Sequence, residues 1–178
     1  THILQERRYE MNLAENYGKE FEQKLSSLLI TQSNEHIIYR IPDQMSGRKG
    51  SKNPCDFIFY SYPNIFWLEC KSTVNPGWSI SELDKFQLES MREYSKTKGS
   101  FSYVLLLFVC EPSVFAIPIS TIDYLIENGI GTININKLRK GKYERDFIEV
   151  PLAKNRSYIP DFAPEALDVL LKLPNISP

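Results

Sequence analysis

Hydrophobic and polar positions change their period along the chain, and each change predicts a new element. Apolar residues recur first at helical spacing, at Leu13, Tyr17, Phe21, Leu25, Leu28 and Leu29. This spacing predicts an amphipathic helix from about Asn12 to Thr31. Three runs rich in β-branched and aromatic residues then predict strands, namely HIIYRI, CDFIFY and NIFWLECK. The short turn at Pro63 joins the last two, so we expect a β-meander.

The second half of the chain alternates helices and strands. Ser79 and Glu82 have capping-box spacing and predict a second helix that ends at Gly99. SYVLLLFVC and VFAIPI predict two more strands, and the first is apolar on both faces, so we expect it near the middle of the sheet. A short helix is expected from Ser120 to Gly129, and a last one from Pro164 to Leu173. This order predicts an α/β fold with a central mixed sheet flanked by helices.

Size and composition fit one folded domain over residues 1–178. The chain has 178 residues, of which 42% are hydrophobic and 12% aromatic, enough for one full core. Its longest apolar run, VLLLFVC, is far shorter than the ~20 residues of a membrane helix. No charged and apolar leader opens the sequence, so we expect a cytoplasmic protein without a membrane partner.

Cysteine and histidine usage excludes several chemistries. Cys55, Cys70 and Cys110 lie in apolar segments without a CxxC spacing, which predicts reduced, buried thiols rather than disulfides or zinc ligands. The two histidines, His2 and His36, are too few for a mechanism that needs several imidazoles. Most zinc hydrolases and histidine-based nucleases are therefore excluded.

Basic residues form two clusters, although the net charge of the chain is only −1. In the first, between residues 36 and 53, one acid, Asp43, stands against four basic residues: Arg40, Arg48, Lys49 and Lys52. The second is LRKGK, from Leu138 to Lys142. Either cluster could follow a phosphate backbone or form a solvated loop, and the sequence leaves both interpretations open.

Charged residues interrupt the meander at one place. Glu69 and Lys71 are two residues apart and therefore share a face of the third strand, while Cys70 points the other way. Asp56 begins the preceding strand and should lie opposite the end of the third. Two carboxylates beside an ammonium group can hold Mg²⁺ and act on a phosphodiester. The alternative is a cross-strand salt bridge on a solvent-facing edge.

Two further polar positions bear on this choice. Gly18 and Glu22 are four residues apart on the first helix, so the glycine leaves space one turn from a carboxylate, or Glu22 is a surface residue. Gln87 shares the core-facing stripe of the second helix with Leu83 and Met91. It is either a satisfied core glutamine or a group that reaches the charged cluster.

Together these residues resemble the PD-(D/E)xK nuclease superfamily, and more narrowly the RecU-type Holliday junction resolvases. The matching pieces are GKEFEQKL, the Asp56 to Glu69 separation, ECKST, FQLESM, FSYVLLLF and, more loosely, SYIPDFAPEALDVLL. They cover most of the chain in the family's order. The resemblance implies a restriction endonuclease-like core of helix, β-meander, helix and strands.

The same resemblance implies a homodimer that cleaves four-way DNA junctions with Mg²⁺ or Mn²⁺ in recombination and repair, with recombination proteins as candidate partners. Asp56 and Glu69 would bind the metal, with the backbone carbonyl of Cys70 as a third oxygen and Glu22 completing or supporting the shell. Lys71 would activate water or stabilise the phosphate, and Gln87 would orient it.

Departures from the family leave alternatives open. The family's protruding stalk is replaced by a short basic loop at residues 44–53, and Asp84, Lys85 and Phe86 replace a histidine-rich approach to the glutamine. A shortened, phage-type member would fit. The candidate DNA-binding residues are Arg40, Arg48, Lys49, Lys52 and Lys85. A restriction-like or repair nuclease with another DNA target and a non-catalytic DNA-binding module are the competing functions.

Overall fold

A mixed six-stranded sheet organises the protein, whose computed structural model describes residues 2–31, 36–42, 52–143, 145–153, 159 and 161–173. The helices are α1 His2–Thr31, α2 Lys85–Tyr94, α3 Ile119–Glu127, α4 Ile135–Arg139 and α5 Ala166–Lys172. The strands are β1 His36–Arg40, β2 Phe57–Ser61, β3 Asn64–Thr73, β4 Gly77–Ser79, β5 Ser100–Phe108, β6 Ser113–Pro118, β7 Thr132–Asn134 and β8 Ile148–Val150. The predicted α/β class, with a central mixed sheet flanked by helices, is confirmed.

The sheet order is β1-β2-β3-β5-β6-β8, and β4 pairs with β7 in a separate two-stranded sheet. The first three strands form the predicted antiparallel meander, while β3 and β5 run parallel with Glu69 opposite Val104. Because parallel neighbours need a crossover, the chain passes through α2 between them. This connection carries α2 across the face of β3 that holds Glu69. The expected inner position of the VLLLF strand is confirmed, since β5 lies between β3 and β6.

Each face of the sheet has its own core. Phe57, Leu68 and Leu105 point towards the side of α1 and α5. Val104 and Leu106 point the other way and pack with Met91 of α2 and with residues of α3. The alternation of β3 and β5 side chains between two cores explains the continuous apolar pattern of the β5 sequence, since both of its faces are covered.

Several predicted boundaries are wrong. The first helix begins at His2 rather than near Asn12. Ser79 opens only a single 3₁₀ turn over Ile80–Glu82, and α2 starts separately at Lys85 and ends at Tyr94, before Gly99. Phe86 in the first turn of α2 is 42% exposed, although it is aromatic.

The cysteine prediction fails at one position. All three cysteines are free, and Cys55 is buried and Cys70 half-buried, but Cys110 is exposed in the turn after β5. The apolar run that contains Cys110 ends its strand at Phe108, so the last two residues of the run lie beyond the sheet. Among the described residues, no helix combines the length and apolar character needed to cross a membrane.

Candidate functional site

Strand pairing places Asp56 beside the end of β3. Phe57 pairs with Leu68, and the backbone N–H of Asp56 donates to the carbonyl of Leu68 at 3.1 Å. The Asp56 carboxylate Oδ2 accepts from the backbone N–H of Cys70 at 2.7 Å, which fixes the side chain against the next strand. The two-residue turn at Pro63 sets this register, so the predicted convergence of Asp56 with Glu69 and Lys71 is present in the fold.

Glu69 lies at the centre of the cluster and is only 1% exposed. Its Oε1 accepts from the Lys71 ammonium at 2.6 Å and from Gln87 Nε2 at 2.8 Å. Within the described part of the chain, its buried Oε2 has no hydrogen-bond partner. A buried carboxylate oxygen without a partner is costly. Among the described residues, the geometry therefore leaves this side of Glu69 to a proton shared in a hydrogen bond with the Asp56 carboxylate, or to a bound cation.

Gln87 reaches the cluster because of how α2 begins. Asp84 is the N-cap, and its carboxylate accepts from the backbone N–H of Phe86 at 2.9 Å. Gln87 closes the capping box, since its Oε1 accepts from the backbone N–H of Asp84 at 3.3 Å. The same oxygen is 3.4 Å from the Lys71 ammonium. Of the two alternatives for Gln87, the structure has the one in which the side chain contacts the charged residues.

Asp84 has a role that the predicted helix start at Ser79 does not include. Asp84 and Gln87 have the same spacing as Ser79 and Glu82, so the sequence carries the signal for a second capping box. Because Asp84 fixes the first turn of α2, it determines where Gln87 lies relative to Glu69.

Burial and mutual repulsion raise the proton affinity of both carboxylates. Burial is the main cause that raises the pKa of Glu69 to about 8, and the charge of Asp56 adds to it. Burial likewise raises the pKa of Asp56 to about 6, opposed by the Cys70 backbone N–H and assisted by the charge of Glu22. For Lys71, burial lowers the pKa, but the charge of Glu69 outweighs burial and raises it overall. Without a cation, Glu69 therefore keeps its proton at neutral pH, and with both carboxylates ionised the site would hold more negative charge than the one ammonium group balances.

Two neighbouring carboxylates with an unpartnered oxygen fit a divalent cation bound through oxygen. Asp56 and Glu69 are the residues of this cluster that offer such ligands. No group of three or more His, Cys, Asp or Glu side chains in the described ranges is arranged to hold a metal ion. The side chains alone thus provide a two-carboxylate site. The Cys70 carbonyl stays a predicted third oxygen.

Glu22 approaches from α1 but is already paired. Its carboxylate contacts the Arg40 guanidinium of β1 at 2.5 Å. Gly18, one turn earlier, faces β3, and a Cβ at this position would make an ordinary 3.5 Å contact with the Ser72 hydroxyl. The space beside the glycine therefore borders the neighbouring strand and has room for about a methyl group. A role for Glu22 in the metal shell stays a prediction.

The thiols near the site are protonated at neutral pH. Burial, with smaller effects from Glu69 and Asp56, raises the pKa of Cys55 to about 12. Burial also raises the pKa of Cys70 well above its ordinary value, and the charge of Asp56 adds to it. Neither thiol is a candidate nucleophile or thiolate ligand, because the thiolate is the reactive form.

The candidate DNA-binding residues are spread around this site, and those described are paired with acids. Lys52 contacts the α2 N-cap Asp84 at 2.5 Å, and the exposed Lys85 lies 3.7 Å from Glu89. Arg40 is held by Glu22, as described above. Arg48 and Lys49 lie outside the described residues, as does most of the loop at residues 44–53.

The fold is similar to that of a solved structure. No protein-family model and no curated protein matches the chain. A solved structure of Hjc, a Holliday junction resolvase from Archaeoglobus fulgidus, is similar with a TM-score of 0.43 and 19% sequence identity. The similarity covers 58% of this chain and 78% of that chain.

Proposed function

We propose that the protein is a metal-dependent, structure-specific DNA endonuclease that hydrolyses phosphodiester bonds at Holliday junctions. The observation that carries the proposal is the buried Glu69, which shares one oxygen between Lys71 and Gln87, while its other oxygen, beside Asp56, accepts no hydrogen bond from the described residues. This is a donor set for a hard cation next to a fixed ammonium group. The resemblance to RecU-type resolvases in ECKST and FQLESM supports the same reaction.

Each side chain has a defined part in the proposed reaction. Asp56 and Glu69 hold the metal, and Asp56 is kept in place by the Cys70 backbone N–H. When bound, Mg²⁺ or Mn²⁺ supplies a Lewis acid at the scissile phosphate. Lys71 orients the attacking water or neutralises charge that develops on the phosphoryl oxygens. Gln87 contacts both Glu69 and Lys71, so it fixes the positions of the carboxylate and the ammonium group relative to each other.

The biological setting belongs to the same proposal. We propose a homodimer acting on branched DNA in recombination and repair, in the cytoplasm and with recombination proteins as partners. A four-way junction offers two symmetric strands for cleavage, and a symmetric dimer would present two equivalent sites to them.

Cleavage of a labelled four-way junction beside a duplex of matched sequence tests the function. Wild type is assayed with Mg²⁺ and with EDTA, together with Asp56→Asn. We expect symmetric, metal-dependent nicks confined to the junction, which the variant loses while it still binds DNA, because a negative charge facing phosphate has been removed. Unchanged cutting by Asp56→Asn would contradict the site assignment. Equal cutting of duplex would leave a nuclease with another target, and binding without any cutting would favour a non-catalytic module.

A further inference from the structure

Positive charge is concentrated in a segment that the proposed active site does not include. Five of the chain's 21 lysines and arginines lie between Thr132 and Arg145, against one of its 22 acidic residues, Glu144. This segment comprises β7, the short helix α4 and the turn that follows it. It contains the LRKGK cluster, for which the sequence left a solvated loop and a phosphate-binding surface as alternatives.

Two of the five basic side chains are occupied within the fold. Arg139 pairs with Glu111 and donates to the Ser113 hydroxyl at 2.9 Å. The Arg145 guanidinium lies over the ring of Tyr124, 4.0 Å from its centroid. These contacts hold the segment against the main sheet and against α3, so neither arginine is a first candidate for binding a ligand.

The other three basic side chains are exposed: Lys137, Lys140 and Lys142. We call them the lysine turn. In the described part of the chain none of them has an ion pair or a side-chain hydrogen bond. Three ammonium groups within six residues repel one another, and an anion that bridges them would relieve this repulsion.

The lysine turn is held rigidly. The backbone N–H of Lys142 donates to the carbonyl of Lys137 at 3.0 Å, and Gly141 adopts φ +58°, which allows the tight reversal. Tyr143 anchors the turn, since its hydroxyl accepts from the backbone N–H of Asn134 at 2.9 Å and donates to the carbonyl of Thr132 at 3.2 Å. A preorganised surface loses less conformational entropy when it binds.

The fold connects the lysine turn to the proposed active site. β7 pairs with β4, and the backbone N–H of Ile135 at the start of α4 donates to the carbonyl of Pro76 at 2.9 Å. Pro76 follows Lys71 by five residues, so the chain that leaves the end of β3 leads directly to the segment that carries the lysine turn.

We propose that the lysine turn binds the phosphate backbone of the DNA arm that adjoins the cleaved bond, an inference that rests on the proposed function. The surface suits phosphate better than a membrane or an apolar protein partner. Among the described residues, none of the large exposed hydrophobic side chains belongs to residues 132–145. Membrane-binding helices insert such side chains and the buried cores of protein interfaces are enriched in them and depleted of charge, whereas a phosphate backbone is bound by cations.

The test compares two triple variants with wild type. One is Lys137→Gln, Lys140→Gln and Lys142→Gln. The matched control, Lys96→Gln, Lys98→Gln and Lys172→Gln, removes the same charge from exposed lysines outside the segment. Binding to a fluorescent four-way junction in EDTA is measured by anisotropy at several salt concentrations. We expect the first variant to reduce the slope of log K against log salt by about 2 to 3, and the control by less than about 1. Equal slopes for wild type and the first variant, or equal losses in both variants, would overturn the proposal.

A cleavage assay separates this inference from the proposed function. With Mg²⁺, the lysine-turn variant should need a higher DNA concentration than wild type for half-maximal cleavage, because these lysines contribute to DNA binding. If wild type binds with the expected slope but never cuts, the nuclease proposal fails and the phosphate-binding surface stands. If wild type cuts and the slope of the variant is unchanged, the surface fails and the nuclease stands. Tighter binding to anionic phosphatidylserine vesicles than to DNA would also overturn the proposal.

Discussion

Replacing Glu69 by glutamine should stabilise the metal-free protein at alkaline pH. The carboxyl group has an ordinary pKa of 4.5, which burial and the charge of Asp56 raise to about 8 in the folded state. Between these two values the folded protein binds more protons at this position than the unfolded chain does. Its free energy of unfolding must therefore fall as pH rises through this window, and the loss is complete above the folded pKa.

The structure sets the size of this effect. One pKa unit corresponds to ~1.36 kcal/mol, so Glu69 alone should lower the free energy of unfolding by about 3 kcal/mol between pH 5.5 and pH 8. The side chain is only 2% exposed, so solvent screening reduces this figure little. Glutamine keeps the shape and can still accept from Lys71, but it cannot ionise. The variant should therefore lose this part of the pH dependence.

Urea denaturation followed by tryptophan fluorescence measures the difference. Trp67 lies two residues before Glu69 on β3, and Trp78 is buried in β4, so both report on this region. Curves are collected in EDTA at pH 5.5 and pH 8 for wild type, Glu69→Gln and the control Glu89→Gln, whose carboxylate on α2 is exposed. If the free energy of unfolding fell by the same amount between pH 5.5 and pH 8 in all three proteins, the reasoning would be refuted, because the ionisation of Glu69 would then not destabilise the fold.

Three further predictions concern the residues around Glu69. Lys71→Met should lower the single-turnover rate of junction cleavage at least ~100-fold without weakening DNA binding in EDTA, and a rate near that of wild type would exclude a catalytic lysine. Gln87→Leu should reduce the same cleavage rate ~10- to 100-fold, because Glu69 and Lys71 lose a shared partner. Gln87→Asn should not restore the rate, because the shorter side chain cannot reach both groups. Gly18→Ala should raise the free energy of unfolding by roughly 0.5–1 kcal/mol through helix propensity, because its Cβ would make only an ordinary 3.5 Å contact with Ser72. Gly18→Leu should lower the free energy of unfolding, because the larger side chain does not fit beside β3. Urea titration of the two variants measures the difference.

The sequence predicted the central pair of the site because local rules determine it. A period of two puts Glu69 and Lys71 on one face, and a short turn at Pro63 puts Asp56 opposite them. Neither step needs information about distant parts of the chain. The same reasoning found the inner position of β5, since a strand that is apolar on both faces must be covered on both.

Other features could not be predicted from local patterns. The Glu22–Arg40 pair joins α1 to β1, and the position of α1 relative to β1 depends on how the whole helix packs on the sheet. The strands β4 and β7 are three residues long, and each is too short to show a period. Cys110 belongs to an apolar run, but the hairpin after β5 bends the chain out of the sheet before the run ends. In these cases tertiary packing, rather than propensity, decides the structure.

The charge balance of the site distinguishes between two explanations of the buried acids, a salt bridge and a metal site. A salt bridge does exist, between Glu69 and Lys71, but both residues belong to β3, an inner strand, so it is neither cross-strand nor at a solvent-facing edge. It is also incomplete, since among the described residues Lys71 is the cation that contacts Glu69, and nearby Arg40 is matched by Glu22. A structural ion pair gains little from a second buried carboxylate, because the extra charge adds a desolvation cost that the single Cys70 backbone N–H offsets only in part. A divalent cation would balance that charge and accept the second oxygen of Glu69 as a ligand, and this is the reason for proposing a metal at the cluster.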